Sequence, residues 1–429
     1  RDDDKSGGRL VSSGARFDLT FSGVIDRFVF LFGSTDVFDL IESRVMTLAA
    51  LKAAIGNDKL KTWQAHPLRK IIDERGLVFD PSTTCDPETT VNLFRGLKVN
   101  PKAGDCELIL DLLMYLVNND KAIFAWVIKW IAYPLQNLGA KMESAIVMHG
   151  TEGTGKNVFW GLIRRIYGEY GRGIGQNQIE SPFTGWASAK LFFVGNEVVS
   201  RQEMYHQKGR LKTMITEGEI TINEKHLKER EEVNHANFTF LSNALQPVTP
   251  DPEDRRFLVI WTPPALAAQV YNDTCEQVKN GGLEAFYDHL LNVDVDGFDQ
   301  HSKPPMTQAK QDLIDVSMDN YQLFLRAWRK GELALTFEPI LSEDIYKAYR
   351  LYCDKKGEHG RLTETKFLNA VGKQQWIIKK LARYITDSDV KGKQRTFIFP
   401  DGDAPPDGIN QTQWLTQCVH RSRSCLERM

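Results

Sequence analysis

The stretch HGTEGTGKNVFW, His149 to Trp160, decides how the rest of this chain is read. Gly150, Gly153 and Gly155 let backbone N–H groups come close to an anion, with Thr151, Glu152 and Thr154 spacing them. Lys156 is placed to reach β and γ phosphate oxygens, and a helix starting there turns its N-terminus toward the same charge. The spacing is that of the phosphate loop G-x-x-x-x-G-K-[ST], with Asn157 in place of the hydroxyl that normally ligates Mg²⁺. An Asn amide oxygen also ligates hard cations. The loop is therefore expected to bind ATP with Mg²⁺. A decayed site, which holds nucleotide without turnover, is the alternative.

Working outward, SAIVMHG (Ser144 to Gly150) is an apolar strand running into the loop, and NVFWGLIRRIYG is a helix ended by Gly168. AKLFFVGNEVV (Ala189 to Val199), ANFTFLSNA (Ala236 to Ala244) and RRFLVIWTP (Arg255 to Pro263) are three further apolar strands. Short, nearly unbroken apolar strands alternating with helices predict an α/β core with a mainly parallel sheet buried on both faces. Glu197 stands at the tip of the second strand beside Asn196. A carboxylate there polarises the attacking water, and with Asn196 orients the metal. Asn243 ends the third strand, where a side chain holds the water or senses the γ-phosphate. Arg255 and Arg256 enter the fourth strand and suit an arginine finger aimed at a neighbouring subunit. Pairing with Asp254 is their structural alternative, and the sequence does not choose between the two arginines.

These elements, in this order, resemble the superfamily 3 helicases, and more closely the primase-helicases of bacteriophages and their poxvirus relatives. WIAYPLQNLGAKMESAIVMHGTEGTGKN, LKTMITEGEITINEKHLKE and FLSNALQPVTPDPEDRRF carry the resemblance, which runs from about Asn92 to Pro263. It implies an AAA+-like P-loop ATPase core, a hexameric homo-oligomeric ring and ATP-driven translocation along single-stranded DNA. It further implies a hairpin in ITINEKHLKEREEV (Ile220 to Val233) that projects into the ring channel. Lys225 and His226 match the pair that grips DNA phosphates, with Lys228 beside them; such contacts follow the backbone without reading bases. Glu224, Glu229 and Glu231 weaken the local positive field. Asn157 and the Asn196–Glu197 pair depart from the commoner family pattern and bear on the metal ligands more than on the fold. An origin-recognition ATPase that binds DNA without unwinding it, and a structural ring with little turnover, are the competing classes.

The 429 residues, 42% hydrophobic and 26% charged, suit two or three globular domains. A net charge of -2 restricts any nucleic-acid binding to local basic patches. Six scattered cysteines without a C-x-x-C pair argue for reduced thiols, against structural zinc, and for the cytoplasm, here of a phage-infected host. LILDLLMYLV (Leu108 to Val117) is too short for a membrane span. Residues 1–14 read as a linker or cloning remnant, so the chain is expected to be a piece of a longer protein, any primase or polymerase domain lying upstream. Residues 15–140 are expected to form an N-terminal α+β and helical collar that oligomerises, with a helix in SRVMTLAALKAAIG and two packed helices between Gly104 and Tyr133. The ATPase core spans 141–265, a helical connection 266–337, and a helical, winged-helix-type DNA-binding domain 338–400. Residues 341–400 hold 13 Lys and Arg against 7 Asp and Glu, and Lys379, Lys380, Lys391, Lys393 and Arg395 are its candidate DNA contacts. Residues 401–429 read as a tail.

Overall fold

A computed structural model of the chain describes residues 21–197, 205–224, 229–251, 253–357, 360–386, 389–400 and 403–429. The chain divides into two compact units, Arg1–Val248 with Asp254–Ala309, and Thr249–Glu253 with Lys310–Met429.

The first unit is built on five parallel strands: β1 (Ala145–His149), β2 (Gly171–Ile174), β3 (Phe192–Asn196), β4 (Asn237–Ser242) and β5 (Phe257–Trp261), in the order β5-β1-β4-β3-β2. Every residue of β1 and β4 is buried, as unbroken apolar runs require when both faces of a sheet are covered. On one face, Ile146, Met148, Phe192, Val194 and Leu258 pack against three helices, α1 (Glu107–Leu116), α2 (Lys121–Gln136) and α3 (Lys156–Tyr167). Trp130 and Trp160 meet edge-on there, 6.3 Å apart, both at most 1% exposed. Each such aromatic contributes about 2–3 kcal/mol by leaving water. The residues that alternate with these face the other way, where Phe193, Phe238 and Phe240 stack in a row. The two helices expected between Gly104 and Tyr133 thus share one core with the sheet.

β2 was not foreseen. Its sequence, GRGI, offers a single apolar side chain, and as an edge strand it pairs with β3 alone. Upstream lies a four-stranded mixed sheet of Phe28–Phe32, Asp36–Asp39, Arg44–Thr47 and Ile71–Asp73. Arg27 and Asp39, both buried beside it, form a two-pronged ion pair at 2.9 and 2.7 Å. The helix expected in SRVMTLAALKAAIG begins later than its pattern suggests. Arg44–Thr47 is a strand paired with Asp36–Asp39, and the helix Leu48–Ile55 starts after Thr47, whose hydroxyl caps Ala50 N–H.

The second unit contains helix α4 (Asn320–Arg329), the short strand β6 (Ile340–Leu341), helices α5 (Ser342–Lys356) and α6 (Glu364–Val371), and a long hairpin of β7 (Ile377–Thr386) and β8 (Asp389–Pro400). Its sheet order is β6-β8-β7. The final segment is not a loose tail: Gln411–Leu426 is a 16-residue helix, α7, that buries Trp414, Leu415, Cys418, Val419 and Leu426. Among the described residues no helix is long and apolar enough to cross a membrane.

Candidate nucleotide site

Strand registry brings the predicted residues together. His149 of β1 lies opposite Ser242 of β4 and Trp261 of β5, and Leu241 lies opposite Asn196 of β3. The C-terminal ends of these four strands therefore form one edge, where a parallel sheet presents its ligand crevice. Residues 150–155 leave β1 at this edge, and Gly155 caps α3 in a left-handed conformation, φ 91°. Gly150 has φ 144°, and a Cβ there would stand 2.5 Å from Thr262 Oγ1. Thr262 N–H donates to His149 O at 2.8 Å, so β5 presses on the loop from behind. Only glycine fits both positions.

Lys156 is 5% exposed. Its ammonium donates to the carbonyls of Gly150 (3.2 Å) and Thr151 (2.8 Å), to Thr154 Oγ1 (3.3 Å) and to Asn243 Oδ1 (3.3 Å). Three protons shared among four neutral acceptors make a cation that incoming phosphates can claim. Burial pulls its pKa below the usual lysine range, and Glu197 and Glu152 partly offset this. Glu197 is exposed and takes a left-handed backbone, φ 52°, which is strained for a residue with a side chain. Its N–H is tied to Leu241 O at 2.9 Å, and its Oε2 lies 3.5 Å from Asn243 N. Lys156, Asn243 and Glu197 thus form one connected cluster. Asn157 is exposed in the first turn of α3, and Asn196 is exposed at the end of β3. Glu197, Asn157 and Asn196 offer one carboxylate and two amide oxygens, donors of the hard oxygen type that Mg²⁺ takes beside substrate phosphates and water.

The two arginines lie elsewhere. They precede β5 and so occupy the sheet edge opposite the loop. Arg256 is held by the buried carboxylate of Asp254 at 2.8 and 3.2 Å, whereas Arg255 is exposed and makes no ion pair among the described residues. Both line a cavity of about 500 Å³ with Glu143, Thr216, His301 and Lys303.

The expected hairpin is present as Glu219–Ile222 paired with Arg230–Val233. Lys225, His226 and Lys228 lie outside the described residues. Two of the three glutamates expected to weaken the field, Glu224 and Glu229, have structural partners. Glu224 and Glu232 both pair with Arg230, at 2.8 and 2.9 Å, Glu232 also accepts from Ser188 Oγ and Ala189 N, and Glu229 accepts from Asn223 Nδ2.

Two residues were missed by the sequence reading. His149 is 3% exposed, its Nδ1 lies 3.3 Å from Ala244 O, and its Nε2 has no partner among the described residues. Burial holds it below the usual histidine range, hence neutral. Lys141 donates to the carbonyls of Met214 (3.0 Å) and Ala236 (2.6 Å), and burial lowers its pKa to about 7. Met214 ends the helix Tyr205–Thr216, so Lys141 ties the approach to β1 to the segment that leads into the hairpin. Nothing in the sequence marks it beyond a lone lysine before a strand.

The sequence profile of a family of unknown function, DUF5906, matches residues 148–256, a span that encloses the glycine loop, Asn157, Asn196, Glu197, Asn243, Arg255 and Arg256. A DNA primase-polymerase of Nitratiruptor phage NrS-1 is 29% identical over 235 residues, 53% of this chain. The matched segment is 32% of that relative's length, so the chain spans about a third of it. An apo structure of the NrS-1 C-terminal region aligns with a TM-score of 0.65 at 20% identity, covering 89% of this chain and 98% of that one. A second apo form gives 0.66 at 20% identity, with 90% and 99% covered. The chain is thus similar in sequence to a phage primase-polymerase and in fold to the C-terminal region of NrS-1.

Proposed function

We propose that this chain is the ATP-driven DNA helicase portion of a phage replication protein whose parent chain also carries primase or polymerase chemistry. The observation that supports it most is the hydrogen-bonded convergence of Lys156, at the start of the helix after the glycine loop, with Asn243 and Glu197 at the ends of adjacent parallel strands. Residues 150–157 cradle the triphosphate, and Lys156 exchanges its loop carbonyls for β and γ oxygens. Glu197 accepts a proton from, or orients, the water whose oxygen attacks the γ-phosphorus. The bond to the β–γ bridging oxygen breaks and ADP leaves. Asn243 contacts the γ-phosphate. Asn157, Asn196 and Glu197 would hold Mg²⁺, which would neutralise phosphate charge when bound. Arg255 stabilises the charge that develops on the nucleotide of the next subunit of a ring. The 219–233 hairpin, through Lys225, His226 and Lys228, carries single-stranded DNA.

Phosphate release from ATP, measured with and without single-stranded DNA, tests this for the wild type, Lys156→Ala and Glu197→Gln. Turnover raised by DNA and lost in both variants is expected. Turnover no greater than that of the variants, in an oligomeric sample, refutes the motor. The exposed amide at Asn157 supports the second reading, a ring that binds nucleotide for assembly only, and that result would favour it.

A further inference from the structure

The second unit holds a surface that the ATPase reading leaves unused. Cross-strand registry sorts the β7–β8 hairpin into two faces. Lys380 pairs with Phe397, Ala382 with Arg395 and Tyr384 with Lys393, all on one face. That face is covered at its centre, where Ala382, Tyr384, Phe397 and Phe399 pack with Trp414, Leu415, Cys418 and Val419 of α7 and Lys380 Nζ lies 4.4 Å above the Phe399 ring, while Ile378, Lys380 and Arg395 stay exposed at its margin. Lys379–Ile398, Leu381–Thr396 and Arg383–Gln394 occupy the other face. At its base Ile377 and Ile398 share a core with Phe367 and Val371 of α6, so this open face continues outward beside that helix. The basic residues expected to act together are therefore divided. Lys379 stands on the open face, Lys380, Lys393 and Arg395 on the covered one, and the Lys391 side chain is outside the described residues.

The open face is cationic and extends onto α6. Lys366 and Asn369 are exposed on α6, Lys373 just beyond its end, and Lys379 and Arg383 on β7. A Cβ placed on Gly372 would lie 4.0 Å from Lys379 Cδ, so the hairpin lysine runs along the end of the helix and joins the two strips. Lys366, Lys373, Lys379 and Arg383 form no ion pair among the described residues; Glu364, in the first turn of α6, is the nearby acid. Leu381, 64% exposed, sits among these cations. No exposed aromatic side chain stands on this face among the described residues. Trp376 packs with Trp328 and Phe337 beneath Arg329.

We infer that the open face of the β7–β8 hairpin together with α6 binds duplex DNA, as a site separate from the channel hairpin and independent of ATP. Four unpaired cations spread over a helix and an adjoining strand suit the phosphates that flank a groove, and a helix of this kind fits the major groove, about 12 Å wide. Single strands are held by stacking bases on aromatic rings, which this face does not offer. The binding is mostly to the backbone and so falls steeply with salt.

The test uses the whole chain without nucleotide and measures fluorescence anisotropy on a labelled duplex of about two helical turns and on oligo-dT, over a range of salt. Lys379→Glu combined with Arg383→Glu is expected to weaken duplex binding at least tenfold at low salt. The slope of log affinity against log salt should fall by about 2, since two phosphate contacts are lost. Oligo-dT binding and ATP turnover in the same preparation stay at wild-type values. The Gln pair at the same positions repeats the measurement should charge reversal disturb folding. Unchanged duplex affinity, or equal losses on duplex and single strand, overturns the inference. So does a Leu381→Ser variant that changes the sedimentation of the protein but not its duplex binding, because the face would then be a protein contact. A chain that lacks ATP turnover yet still shows the duplex effect refutes the motor and leaves this site standing.

Discussion

Arg255 provides the sharpest test of whether copies of this chain cooperate. β5 is parallel to β1 and five residues long, so at roughly 3.3 Å per residue the arginines lie about 16 Å from the loop edge across the sheet. An arginine side chain spans less than half of that, and Arg255 therefore cannot reach the nucleotide of its own subunit. Arg255→Ala should lower ATP turnover roughly 10³–10⁵-fold while leaving nucleotide binding intact. Lys156→Ala damages the loop and leaves the finger intact. Mixed at equal concentrations and allowed to exchange, the two inactive variants should regain turnover. With random, head-to-tail assembly about a quarter of the interfaces join an intact loop to an intact arginine, which sets the recovered activity near that fraction of wild type. The assay is steady-state phosphate release across the mixing ratio, with a maximum at equal parts. A mixture that stays at the sum of its inactive components refutes action across a subunit boundary. Arg256→Ala, by contrast, removes the guanidinium that pairs with the buried carboxylate of Asp254 and should show its effect first as lost stability.

Three further perturbations probe the site. Gly155→Ala must adopt φ 91° and place a Cβ 2.7 Å from Tyr271 Cε1 and 3.1 Å from Leu112 Cδ1, so a loss of about 2–4 kcal/mol is expected in urea unfolding. An unchanged midpoint would show that the loop relaxes freely. Lys141 titrates near 7 when folded and in the ordinary lysine range when unfolded; between these the unfolded chain binds the extra proton, so stability rises with pH across that window. Lys141→Met should remove this rise, read from urea midpoints at pH values between about 7 and 10; an equal slope in the variant rules the lysine out as its source. Asn157→Thr restores a hydroxyl at the metal position and should lower the Mg²⁺ concentration for half-maximal turnover several-fold. An unaltered Mg²⁺ dependence would mean that this side chain does not face the cation.

The parts of the fold carried by uniform patterns were legible in the sequence. Four of the five sheet strands announce themselves as apolar runs because a doubly covered strand has no polar face to show. β2 escaped because two of its four residues are glycines. The glycine loop, Glu197 and Asn243 could be placed because each follows a strand end directly, so sequence position fixes their place in space. What could not be read depends on partners distant in the chain. Thr262 behind Gly150, Lys141 beneath the Tyr205–Thr216 helix and the Arg230 clamp on Glu224 and Glu232 are pairings that only the folded register creates. The pairing of Asp254 with Arg256 rather than Arg255 was not legible either, since both arginines lie within two residues of that carboxylate. The helix Gln411–Leu426 looked like a tail because its polar residues outnumber the apolar stripe that it buries.

The strand order also sets a timetable for synthesis. β1 finds its partners in β4 and β5, so when the ribosome has made it, its nearest neighbour is still about 90 residues away in the message. At 5–20 residues per second that is a wait on the order of ten seconds, with a largely apolar strand unpaired on both edges. Helices α1 and α2 precede β1 in the chain and pack on the same core, and so can shield one of its faces as it emerges. The other face waits for Phe238 and Phe240. A nascent chain stalled between residues 150 and 236 is therefore expected to be a chaperone substrate, released from that state when β4 enters the sheet.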